Sequence, residues 1–218
     1  MHRRHLVTGL PAAALFAAGT GFPAAADGGA FRAFRVMRAG RDIGRHTLSA
    51  TGGPDGFALD IEIDLVVRIL GIAAYRYEMR VSERWAGGRL VAFESTTNDD
   101  GTDDFARMRR EGEGIAVDGS AFSGLQPGDA AVTTYHSLAL MERRPWLSSQ
   151  TGTPVSIDPR PVTGESGAFE MRGDLGSVLI YDGSGDWIGC RFDAGGEPAE
   201  YELIDTDGSI AAAWAASA

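Results

Sequence analysis

The chain has 218 residues, a formal net charge of −10, twenty basic residues that are all arginine, four histidines and one cysteine. An acidic balance offers no basic footprint for nucleic acid. The absence of lysine rules out Schiff-base and P-loop lysine chemistry, and a lone cysteine rules out an internal disulfide.

Residues 1–26 read as an export signal peptide. Arg3 and Arg4 precede a weakly apolar run from Leu6 to Phe22, and Ala24-Ala25-Ala26 offers a small-residue cleavage site. "RRHLV" fits a twin-arginine signal, although the serine before the pair and the lysine after it are missing. The expected location is periplasmic. The run is short and interrupted by Gly9 and Pro11, so an integral membrane protein is not expected. Residues 27–218 then form a single β domain, long enough to bury a core without a covalent staple. Only His46 and His136 remain in it, which excludes a histidine-rich or cysteine-rich metal cluster.

The first strand pair is "FRAFRVMRAG" and "DIGRHTLSA", turning near Gly40-Arg41-Asp42. "TGGPDG" breaks the chain before the most informative stretch, "ALDIEIDLVVRILGIAAYRYEMRVSERW". In its first arm Phe57, Leu59, Ile61, Ile63, Leu65 and Val67 alternate with Asp60, Glu62 and Asp64. In its second, Tyr75, Tyr77, Met79, Val81 and Trp85 alternate with Arg76, Glu78, Arg80 and Arg84. Period two puts each set on one face of a strand. Pairing through the Arg68–Ala74 connection places acids against arginines on a solvated outer face. An arginine cleft for an anion would need unpaired arginines, and Glu78 and Glu83 lie among them. In "WAGGRLVAF" a two-residue Gly87-Gly88 loop puts Phe93 opposite Ser82 on the charged face, whereas a three-residue loop puts it opposite Val81; the apolar match predicts the latter.

Strands continue at Leu90–Thr97, Phe105–Arg110 and Ile115–Asp118. "NDDGTDD" offers weak calcium ligands in Asp99, Asp100 and Asp103, but it lacks a calcium-loop pattern and the same residues suit a hairpin turn. "TTYHSLALMERR" places Tyr135, Leu138 and Met141 three apart and predicts a short helix capped by Thr133 or Thr134. "TPVSIDPRPV" is an edge strand at best, given its prolines. "GESGAF" is similar to the nucleophile loop of trypsin-like proteases, yet neither histidine has the matching context. "SVLIYDGSGDWIGCRFDA" is a hairpin turning on Gly183-Ser184-Gly185, with Cys190 as a buried small hydrophobe. The predicted fold is all-β: a strongly curved antiparallel meander, as a half-barrel or open barrel, with one short helix.

Together, "FRVMRAGRDIG", "YRYEMRVSERWAGGRLVAFESTTNDDG", "SSQTGT" and "YDGSGDWIGCRFDAGGEPAEYEL" resemble an uncharacterised family of exported proteobacterial β domains, over nearly all of the mature chain. The most specific features are the Trp85–Leu90 and Asn98–Gly101 turns and the pairing of Tyr181-Asp182 with Trp187. A tryptophan often follows the tyrosine of that family at the position of Tyr135, where this chain has His136. The family brings no established activity. In outline it is similar to curved-sheet carriers that shield lipids or lipoprotein acyl chains in the periplasm, which is likeness of fold alone.

The functional expectation is a non-enzymatic binding protein with no cofactor. It would hold an apolar small molecule or lipid on the concave face, with candidate contacts Tyr75, Tyr77, Trp85, Tyr135, His136, Trp146 and Gln150. One alternative is an interaction or assembly module that docks an envelope protein on that face or a sheet edge. Another is an enzyme in which His136 and a nearby carboxylate act as acid and base.

Overall fold

The computed structural model describes residues 29–53 and 55–217, so the predicted signal peptide lies outside the described residues. Eight strands run as an antiparallel meander: β1 (Gly29–Arg38), β2 (Arg41–Gly53), β3 (Gly56–Ile69), β4 (Ile72–Ala86), β5 (Arg89–Asp99), β6 (Thr102–Glu111), β7 (Gly114–Gly119) and β8 (Ser123–Pro127). An inner segment follows, with β9 (Ala131–Val132), a single 3-10 turn (Leu138–Leu140), β10 (Trp146–Leu147) and β11 (Pro154–Val155). The second meander is β12 (Ile157–Pro161), β13 (Ala168–Gly173), β14 (Ser177–Tyr181), β15 (Trp187–Asp193) and β16 (Pro198–Asp207), and the helix α1 (Ile210–Ala215) ends the described chain.

β16 pairs with β1, which fuses the two meanders into one thirteen-stranded sheet ordered β12-β13-β14-β15-β16-β1-β2-β3-β4-β5-β6-β7-β8. The sheet is strongly curved but not closed, because β12 and β8 remain edges. β12 has Pro159 and Pro161 where a central strand would need amide donors, so its place at an edge follows from its sequence.

Alternation sets the two faces. Phe57, Leu59, Ile61 and Ile63 in β3 are buried, while Asp60, Glu62 and Asp64 are exposed. On the outer face Arg80 reaches diagonally to Asp64 at 2.9 Å rather than to its direct partner Glu62. These charges are the solvated outside of the sheet, where such pairs contribute little.

Three local expectations are corrected. The Gly87-Gly88 loop has two residues, with Ala86 opposite Arg89, but a bulge at Val91 shifts the register so that Phe93 faces Glu83. The extra residue lets both Leu90 and Phe93 point inward. The β3–β4 turn is tighter than Arg68–Ala74, since Ile69 pairs with Ile72 around Leu70-Gly71.

The helix predicted over Tyr135–Met141 is absent. Tyr135 takes φ +57, its carbonyl accepts from the Tyr181 hydroxyl at 2.9 Å, and Leu138 N–H donates to Gly185 at 3.0 Å. Backbone groups that would close a helix are committed to the β14–β15 hairpin, and only one 3-10 turn capped by Ser137 survives. The fold's one short helix is instead α1, whose N-cap Ser209 accepts from Ala212 N–H at 3.0 Å.

Candidate functional site

The inner segment lies across the concave face and divides it. It is tied to β5 by the Ser95 hydroxyl, which donates to the Ser149 carbonyl at 2.5 Å, and to β14 by the Tyr181–Tyr135 bond. Ala130, Ala131, Val132, Leu140, Trp146 and Leu147 are fully buried beneath the sheet. One end of the face is therefore packed solid and the other is left hollow.

At the packed end α1 closes the sheet. Trp214 meets Trp85 with ring centroids 4.6 Å apart and Phe57 at 5.6 Å. A Cβ at Gly52 would lie 2.3 Å from the Ala213 carbonyl oxygen, so only glycine admits this approach. The N-terminus of α1 is held by Asp186, which accepts from Ala211 N–H and pairs with Arg32, both at 2.8 Å. Both side chains of that ion pair are buried, so loss of either partner would strand the other charge.

Among these aromatics sit Glu83 and His136, with no exposed side-chain surface. The Trp85 indole donates to Glu83 Oε2 at 2.7 Å, and His136 Nδ1 lies 3.7 Å from the same oxygen and 3.5 Å from Thr134 Oγ1. Glu83 Oε1 and His136 Nε2 have no partner. Burial pushes the Glu83 carboxyl up to about 7, partly offset by the Thr134 hydroxyl and then by the Trp85 indole. Burial first, and then the Arg143 charge, hold His136 down to about 3. The arrangement has an acid and a base in proximity but no route by which a substrate could reach either. Glu83 had been read among the exposed arginines; the register places it on the inner face, and the signal was the gap it leaves in the apolar series Tyr75, Tyr77, Met79, Val81 and Trp85.

At the other end lies an open cavity of about 850 Å³. Its walls come from both halves of the sheet: Ile63, Leu65 and Val67 of β3, Tyr75, Tyr77 and Met79 of β4, and Cys190, Phe192 and Tyr201 of β15 and β16. The inner segment contributes Tyr135, Ser149, Gln150 and Val155.

Of the residues expected to contact a ligand, Tyr75, Tyr77, Tyr135 and Gln150 line this cavity. Trp85 and His136 belong to the packed end, and Trp146 is fully buried behind Tyr135, with ring centroids 5.9 Å apart.

The cavity surface is mostly apolar, with Arg38 and Asp174 the charged side chains in its lining. His46 of β2 is buried, with both ring nitrogens lacking partners, and burial holds its pKa down to about 3, so it presents a neutral imidazole. The sequence reading missed it, although His46 alternates with the buried Leu48 and Ala50. Burial raises the Tyr77 hydroxyl to about 12 and the Cys190 thiol to about 12, which keeps both neutral. At the rim the Tyr75 hydroxyl donates to Asp99 Oδ1 at 2.7 Å, and Gln150 Nε2 donates to Asp104 at 3.0 Å. Asp99 thus ties β4 to β5, and Gln150 Nε2 of the inner segment also lies 3.5 Å from its Oδ2. Asp100 and Gly101 form the two-residue β5–β6 turn, and Asp103 accepts from Asn98 Nδ2 at 2.5 Å. Among the described residues no three His, Cys, Asp or Glu side chains converge as metal ligands. Ser166 of "GESGAF" is exposed in the β12–β13 turn.

Residues 34–204 match the family described as Domain of unknown function (DUF6134). The chain belongs to this family. Among solved structures, the DUF6134 chain is similar to a β-barrel-like protein of domain of unknown function DUF1849 from Brucella abortus. The TM-score is 0.55 at 11% identity, over 82% of this chain and 97% of that one. At that identity the likeness shows the fold alone. No curated protein matches the sequence. Among the described residues, no helix of this DUF6134 domain is long and apolar enough to cross a membrane, which says nothing of strands.

Proposed function

We propose that this DUF6134 protein is a periplasmic, non-enzymatic binding protein that holds an apolar or lipid-like ligand in the half-open end of its curved sheet. The observation that carries the reading is the cavity of about 850 Å³ bounded by apolar side chains of β3, β4, β15 and β16. A fold of this size ordinarily fills its interior, as the opposite end does with Trp85, Trp214 and Phe57. The volume lies within the range of small-molecule sites, and polar groups set among apolar walls, here including the charged Arg38 and Asp174, are the usual composition of such sites.

The test is native mass spectrometry of protein purified from its own periplasm without detergent, followed by solvent extraction. A defined adduct of lipid-like mass is expected. A bare mass, together with no displaceable binding of an apolar fluorescent probe, overturns the proposal and leaves the docking-module alternative.

A further inference from the structure

The geometry points to a second site on the same molecule: the β3–β4 hairpin tip docks onto a lipid bilayer with anionic headgroups and brings the cavity mouth against it. This rests on the binding reading only for its purpose, since the docking itself needs no bound ligand.

The hairpin outreaches the β5–β6 hairpin beside it. Pairing with β2 ends at Gly44–Leu65 and pairing with β5 begins at Tyr77–Asp99, so the two-stranded stretch from Val66 to Tyr75 has no partner strand on either side. On the β5 side four residues per arm, about 13 Å, extend past the last paired strand residue, while on the other side β2 runs on from Gly44 to Arg41 beside the ribbon without pairing to it. An isolated two-stranded ribbon is marginal in water, which argues that this one has another surface to lie on.

Its side chains fit that surface. Seven large apolar residues are exposed among the described residues, and three of them, Ile69, Leu70 and Ile72, fall within four positions at this tip. Leu70 is 97% exposed and takes φ +52 in a two-residue turn with Gly71. A branched side chain is disfavoured in that conformation. The β5–β6 turn meets the same backbone demand with Asp100-Gly101. A leucine there serves neither turn chemistry nor burial, and insertion into a bilayer is what would use it.

The local charge is opposite to that of the chain. The ribbon carries Arg68 and no acid, with Arg76 at its base beside Asp100, in a protein of net charge −10. Arg68 shares a second hollow, beside the hairpin, with Arg41, Asp42 and Glu197; Asp42 is already engaged by Arg35 and Arg45. A basic ribbon with an apolar tip suits an anionic bilayer, where each arginine adds attraction and the apolar side chains add burial. Val67 and Tyr75 at the base of the ribbon and Ile69 near its tip line the cavity, so docking there would open the mouth toward the membrane.

The test is flotation of the purified protein with vesicles of phosphatidylcholine, with and without about one third phosphatidylglycerol, alongside the melting temperature of each variant. Binding to the anionic vesicles is expected to weaken at least about tenfold in Leu70→Asn. Asparagine accepts positive φ, so that variant keeps or raises the melting temperature. Arg68→Gln should weaken binding about fivefold and reduce its salt dependence, and Leu125→Asn at the far edge should change nothing. No binding at any composition, or equal binding by the parent and Leu70→Asn, overturns the inference. So does a Leu70-dependent dimer in sedimentation velocity without vesicle binding, which gives the tip to a second copy. Vesicle binding by protein that carries no adduct separates this inference from the ligand reading.

Discussion

Replacing Glu83 with glutamine isolates one buried proton. A carboxyl raised from its ordinary 4.5 to about 7 holds its proton more tightly folded than unfolded. Its contribution to stability is therefore greatest below about pH 4.5, falls as the pH rises, and levels off above about 7. At about 1.36 kcal/mol per pH unit the loss is about 3 kcal/mol. His136 works in the opposite sense: its depressed pKa leaves stability intact above about 6.5 and removes it as the pH falls toward 3. The wild-type profile mixes both, so the useful quantity is the difference between Glu83→Gln and wild type. Glutamine keeps an oxygen for the Trp85 indole, places its amide nitrogen where Glu83 Oε1 lies, and does not titrate. Urea unfolding should give near-equal midpoints at pH 4.5. At pH 8 the variant's midpoint should lie higher by about 1 M, taking 2–3 kcal/mol per M for a chain of this length. A variant less stable than wild type at pH 8 would refute the reasoning, because it would mean that the ionised carboxylate is held favourably by its neighbours.

Three further outcomes follow from packing. Gly52→Ala places a methyl into the Ala213 carbonyl and should lower stability by about 1–3 kcal/mol, with loss of α1 protection in hydrogen exchange. Asp186→Ala strands Arg32 and uncaps α1, at a cost of about 3–5 kcal/mol read from denaturant midpoints. Cys190, with its thiol raised to about 12 by burial, should resist a disulfide reagent at pH 8 in the native protein and react at once in denaturant.

The sheet was legible because period-two alternation dictates which side chains face inward, and β3 and β4 keep it over long runs. The closing hairpin of β14 and β15 was legible from its turn residues. Non-local bonds were not legible. Tyr135 spaced at three from Leu138 and Met141 looks helical, but the Tyr181 hydroxyl and the Gly185 carbonyl compete for its backbone, and no local pattern announces partners about 46 residues away. The bulge at Val91 was hidden for a similar reason: sequence offered a choice of loop lengths, while the requirement that Leu90 and Phe93 both be buried was satisfied by an extra strand residue. Four of the seven expected contacts meet in one cavity, Tyr75 and Tyr77 because they share a face with Met79. Trp85 shares that face too, yet it lies some eight residues along the strand, at the end that α1 closes.

That separation along one face explains how a single sheet can be both rigid and receptive. The aromatic packing of Trp85, Trp214 and Phe57, together with the Arg32–Asp186 pair, anchors one end. The same strands then run on, past the inner segment, to walls that have no opposing layer. There Gln150 of the inner segment reaches Asp104 of β6, and Tyr75 reaches Asp99 of β5, by hydrogen bonds at the rim that water can replace. Widening the mouth would cost those few exposed bonds and leave the anchored end undisturbed. A ligand could therefore enter beside Ile69 and Tyr75 without any of the buried aromatic core having to move.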